Sequence, residues 1–137
     1  MSNTFLRLGV LFALIGVSLG YWMGVTHQFL LSPVHAHLNL LGWVSMFLYG
    51  LFYRAMPEGA HGWLPRVHLG LAVIGLTVMM IGLTFMLTAV PGLQPYVPPL
   101  MMAGPTMVLL GMFVFAFIVF RTTGARGVAA GTQAVSQ

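Results

Sequence analysis

Hydrophobic positions along this chain neither alternate nor recur at a helical period. They form four nearly unbroken apolar blocks, at about residues 5–25, 33–56, 66–90 and 99–120. About twenty apolar residues are needed for a helix to cross a bilayer, and each block reaches that length. Strands are excluded, because an open sheet edge in lipid leaves backbone groups without partners. The breaks are well marked. Thr26 to Ser32 is a short polar turn, and Ser32-Pro33 reads as an N-cap followed by proline in the first helical turn. Pro57-Glu58-Gly59 ends the second block and Pro65 opens the third. Pro91-Gly92, Pro95 and Pro98-Pro99 make the last loop. The pattern predicts an all-α protein: a four-helix transmembrane bundle over residues 1–122 and a disordered polar tail over 123–137, rich in Gly, Ala, Thr, Gln and Ser.

Charge supplies the orientation. Only 4% of the 137 residues are charged, against about 25% in a soluble domain, so an ordinary water-soluble globule is excluded. Arg7, Arg54, Arg66, Arg121 and Arg126 are the basic residues and Glu58 is the one acid. With four crossings, all five arginines and both termini fall on one side, while the turns at 26–32 and 91–98 carry no charge. The positive-inside rule then places both termini in the cytoplasm, in a multi-pass protein of a bacterial inner membrane. The first block is too long for a signal peptide and is expected to be retained. Scattered arginines make no basic patch, so nucleic acid is not expected as a partner. The absence of cysteine excludes disulfides, thiolate metal sites and cysteine nucleophiles. Gly16, Gly20 and Gly24 form a small-residue stripe, with shorter seams at Gly75 and Gly82 and at Gly104 and Gly111. Such stripes let helices approach closely, within one chain or between copies.

Polar side chains inside a membrane are costly and mark candidate sites. His35 and His37 lie in the first turns of the second helix, at its outer end. Two positions apart on a helix differ by about 200° in direction, so the two imidazoles cannot hold one metal ion together. The spacing suits a helix standing between two cofactors, and haem takes imidazole as an axial ligand. Asn39, Gly42 and Met46 share the His35 face, and Leu41, Val44 and Leu48 the His37 face. Gly42 is a candidate for a close wall against a porphyrin, Asn39 for a hydrogen bond to its edge and Trp43 for contact with it. A ligating histidine usually has its second ring nitrogen hydrogen-bonded, and a carbonyl near Pro33 is within reach. His61 belongs to the inner loop and His27 to the outer turn. His68 stands near the inner end of the third helix, on the order of 25 Å from His37 in depth, and reads as an interfacial or packing residue.

The stretch His35-Ala36-His37-Leu38-Asn39-Leu40-Leu41-Gly42-Trp43, continuing to Tyr53-Arg54-Ala55-Met56-Pro57, resembles helices of the catalytic subunit of haem–copper oxidases and nitric oxide reductases. The resemblance implies haem-ligand roles for His35 and His37. That family's twelve helices form a pseudo-threefold ring of four-helix units, with ligands on the second helix of each. By analogy, this chain is expected to assemble as a homotrimer. His35 of one copy and His37 of the next would clamp a b-type haem. The pattern has no further histidine cluster for a copper centre at helix depth. An electron-transfer cytochrome, with quinol or a respiratory complex as partner, is therefore expected rather than a complete oxidase. One alternative is copper handling by His27, His35 and His37 with Met23, Met86, Met101 and Met102, since sulfur and imidazole suit Cu(I). Another is a cofactor-free assembly subunit of an oxidase.

Overall fold

The structure, a computed structural model, describes the backbone of residues 1–135 and the side chains of residues 1–124. It is all-helical, with no strand among the described residues. Helix α1 spans Ser2–Thr26. Helix α2 covers residues 32–55 in three parts: α-helical over Ser32–His37, π-helical over Leu38–Ser45 and α-helical again over Met46–Ala55. Helix α3 spans Leu64–Thr88, and α4 spans Val97–Val135. Ser2–Thr26, Leu64–Thr88 and the segment Gln94–Gly124 are each long and apolar enough to cross a membrane. α2 has comparable length but is divided by its π-helical part. The side chains of the expected polar tail from Ala125 onward, Arg126 among them, lie outside the described residues.

Local chemistry sets the ends of these helices. α1 stops at His27, whose φ of 54° is left-handed, a region that histidine enters more readily than most residues. Thr26 folds its hydroxyl back onto the Trp22 carbonyl at 2.8 Å. The expected N-cap at Ser32 is not formed. Ser32 is already the first helical residue, and its hydroxyl donates to the Phe29 carbonyl at 2.7 Å. Proline still occupies the first turn, as it does again at Pro65 in α3. Pro57–Ala60 forms a single 3-10 turn between α2 and α3. At the far end of α3, Ala89 adopts φ 50°, and the Gln94 side-chain amide donates to the Phe85 carbonyl at 3.0 Å. The same Phe85 carbonyl also accepts the Ala89 backbone N–H at 3.2 Å, so the Gln94 bond is a second one to it.

The helices run alternately up and down. α1 lies antiparallel on α2, so that Gly20 meets His35, Gly16 meets Asn39, Gly9 meets Met46 and Gly50 meets Leu6. α3 lies antiparallel on α4 through Gly75, Gly82, Gly104 and Gly111. The two hairpins join through α2, where Gly42 meets Leu76 of α3 and Tyr49 meets Phe115 of α4. The core that results is thin. Large apolar side chains such as Phe120, Met102 and Leu14 are 77%, 76% and 61% exposed, which suits a lipid surface and not water. Arg7, Arg54, Arg66 and Arg121 are all exposed, and the alternation of the helices gathers them at one end of the bundle.

Candidate histidine site

His35 and His37 leave α2 in different directions, as their spacing requires. The His35 ring is half-buried against α1, over Gly20, where a side chain's Cβ would come within 2.5 Å of the imidazole. Its Nδ1 lies 2.8 Å from the Gly16 carbonyl oxygen. A carbonyl only accepts, so Nδ1 carries the proton and donates it. The Asn39 amide nitrogen, 3.3 Å from the same Nδ1, is then a second donor and forms no bond with it. Asn39 instead donates to the His35 carbonyl at 2.8 Å, holding itself back along the helix. His37 repeats the arrangement on the other face. Its Nδ1 donates to the Pro33 carbonyl at 2.7 Å, the partner expected from the sequence.

The carbonyl bonds thus fix Nδ1 as the protonated nitrogen of each neutral imidazole tautomer, which leaves Nε2 as the ligating nitrogen. No bond to either Nε2 is found among the described residues. This is the state in which a neutral histidine binds a metal, with the other nitrogen anchored to a carbonyl. The π-helical turn begins immediately after His37, and such turns are frequent at functional sites.

The neighbouring residues fall differently from expectation. Asn39, Gly42 and Met46 do share the His35 face, but α1 of the same chain fills that face. Gly42 is buried, and a Cβ there would lie 2.8 Å from the Phe12 side chain and 3.2 Å from Leu76. It serves close helix packing and offers no open wall to a porphyrin. Trp43 is 41% exposed and stands beside Val17 and Ser18 in a shallow groove on the flank of α1 and α2. On the His37 face, Leu41 is half-buried and packs on the core toward α3 and α4, while Val44 and Leu48 are exposed. Gly16 and Gly20 are consumed by Asn39 and His35 inside the chain, while Gly24 has nothing within 4 Å.

A second polar group, His68, has a hydrogen-bond partner in Tyr53 that went unseen in the sequence. His68 is fully buried, so of the interfacial and packing positions it takes the packed one. Its Nδ1 lies 2.9 Å from the Tyr53 hydroxyl. The imidazole stands between Phe5 and Phe115, with ring centres at 5.1 and 5.0 Å, and Tyr49 meets it edge-to-face at 4.5 Å. Its Nε2 is buried without a hydrogen-bond partner among the described residues. The available signal was modest: Tyr49 and Tyr53 share a face of α2 at the depth where α3 begins.

Nothing in the described residues assembles three metal-ligating histidine, cysteine or acidic side chains. Of the methionines named for copper, Met23 is buried beneath Ser32, while Met86 and Met102 are exposed. No family model, curated protein or solved structure matches the chain.

Proposed function

We propose that this chain is an integral membrane b-type haem protein that carries electrons. Each haem is held by His35 of one copy and His37 of the next in a homotrimer. The observation that carries this reading is the pair of opposed imidazoles. Each is locked to a backbone carbonyl through Nδ1, and each presents an unengaged Nε2 at the same end of the bundle. Pointing apart, the two cannot hold one iron within a single chain, whereas a ring of copies supplies a second ligand to both. The sequence resemblance to haem–copper oxidase subunits adds the same ligand roles.

The residues fit such a group in their donor chemistry. Neutral imidazole suits haem iron, and the carbonyl partners raise its basicity and fix the ring plane. When bound, a haem with two imidazoles supplies reversible one-electron transfer and has no open position for oxygen. Quinol or a respiratory complex is the natural exchange partner. The arginine end of the bundle faces the cytoplasm, and the membrane is a bacterial inner membrane.

Absorbance spectra of the purified protein test the reading. A low-spin spectrum with one haem per chain is expected, and His35→Ala and His37→Ala should each abolish it. A high-spin spectrum or a colourless preparation would overturn the bis-histidine site. Co-purification of colourless protein with an oxidase would identify an assembly subunit instead. Loss of haem in one variant alone would overturn the sharing between copies.

A further inference from the structure

One flank of the α1–α2 hairpin carries a continuous apolar groove. Near the arginine end it encloses about 410 Å³ between Arg7, Val10 and Leu11 of α1 and Phe47 of α2, among others. A second stretch of about 280 Å³ shares Val10 and continues along α1 to Ser18, beside Trp43. The α1 residues of both stretches recur at steps of three and four, which keeps them on one face. From Arg7 to Ser18 the helix rises about 16 Å, close to half of a hydrocarbon core of roughly 30 Å. Charge is confined to one end. Arg7 is exposed at the mouth of the groove, and its guanidinium has no ion pair or hydrogen bond among the described residues. Arg54 follows Phe47 by seven residues, on the same face of α2 and nearer the same end. A helical side chain leans toward the N-terminus of its own helix. In antiparallel helices, Arg7 therefore leans toward the level of Arg54, and Arg54 toward that of Arg7. Glu58, the one acid of the chain, belongs to the 3-10 turn after α2 and lines neither stretch.

We infer that this groove is a binding site for one anionic phospholipid. One acyl chain lies along the apolar walls, over the depth of a single leaflet. The phosphate sits at the mouth, where the Arg7 guanidinium donates to its oxygens and Arg54 adds a second positive charge. Paired guanidinium N–H donors match phosphate oxygens in geometry as well as charge. A headgroup ammonium would stand beside two like charges, so an anionic headgroup is preferred over a zwitterionic one. The groove on the opposite flank, lined by Leu19, Leu38, Met80 and Phe85 among others, carries no charge and so selects no headgroup. The site stands independently of the haem reading, because neither His35 nor His37 lines it.

Fluorescence quenching by brominated lipid tests the inference. Trp22→Phe with Trp63→Phe leaves Trp43, on the wall of the groove, as the one tryptophan of the full chain. The protein is placed in phosphatidylcholine bilayers that contain the same minor fraction of either phosphatidylglycerol or phosphatidylcholine brominated in mid-chain. Brominated phosphatidylglycerol should quench Trp43 several-fold more than brominated phosphatidylcholine. Arg7→Gln should lower that quenching to the phosphatidylcholine level. Equal quenching by the two lipids would overturn the site and show ordinary lipid contact. Absence of quenching by either would overturn it in favour of a second copy covering the groove. A preference that survives Arg7→Gln would overturn the seat of the phosphate at Arg7. If that variant does not assemble, the comparison of the two lipids with Arg7 in place decides.

Discussion

Tyr53 and His68 meet as a hydrogen-bonded pair inside a shell of aromatic rings, and the pair gives a measurable energetic signature. Tyr53→Phe leaves the imidazole with neither nitrogen bonded to a partner. The cost of stranding one buried polar group is about 1–3 kcal/mol. Replacing both partners with apolar groups of similar shape removes the stranded group, and that exchange is close to neutral. Adding His68→Phe to Tyr53→Phe should therefore recover much of the stability lost in the single variant. Thermal unfolding of the purified variants reads this directly, and strictly additive losses would contradict it. The opposed directions of His35 and His37 were legible in the sequence, because they depend only on spacing along one helix. The Tyr53–His68 bond was not, because it depends on how α2 and α3 slide past each other. The carbonyl under His37 was foreseeable from Pro33, four residues back. The carbonyl under His35 belongs to Gly16, on another helix, and no local pattern announces it.

Helices were read from the length of their apolar blocks, and their ends were set within a few residues by proline and left-handed residues. What that pattern could not show is the π-helical stretch in α2. Apolar content is the same in both helix types, and the difference lies in which carbonyl each amide and the Ser45 hydroxyl finds. The seam between α3 and α4 was visible as spaced glycines, but their contributions differ. A Cβ at Gly104 would overlap the backbone of Met79, which cannot move without separating the helices. A Cβ at Gly111 finds its nearest neighbour, Leu71, at 3.4 Å, an ordinary contact. Gly104→Ala should therefore cost about 1–3 kcal/mol through overpacking. Gly111→Ala should be neutral, or stabilising by up to about 1 kcal/mol, because alanine favours the helix over glycine. Unfolding temperatures in detergent separate the two, and equal losses would mean that the seam is not packed at Gly104 as described.

At the scale of the molecule, the apolar surface and the arginines act together. Of the α1 glycine stripe, Gly16 and Gly20 are spent inside the chain on Asn39 and His35, while Gly24 stays open. On α2, Val44 and Leu48 are exposed and His37 is half-buried. The up-and-down order of the helices collects Arg7, Arg54, Arg66 and Arg121 at the opposite end from the histidine pair. Moving an arginine to the outer side of a bilayer during insertion is disfavoured, so the charged end should remain cytoplasmic. The chain has no cysteine, which makes single cysteines clean reporters of side. Gln28, in the turn between α1 and α2, and His61, in the loop between α2 and α3, are both exposed. In intact cells, Gln28→Cys should react with a membrane-impermeant maleimide. His61→Cys should react only after the membrane is opened. The reverse pattern would invert the molecule and place the histidine pair on the cytoplasmic side. Labelling of both sites in intact cells would mean that the four helices do not alternate across the bilayer.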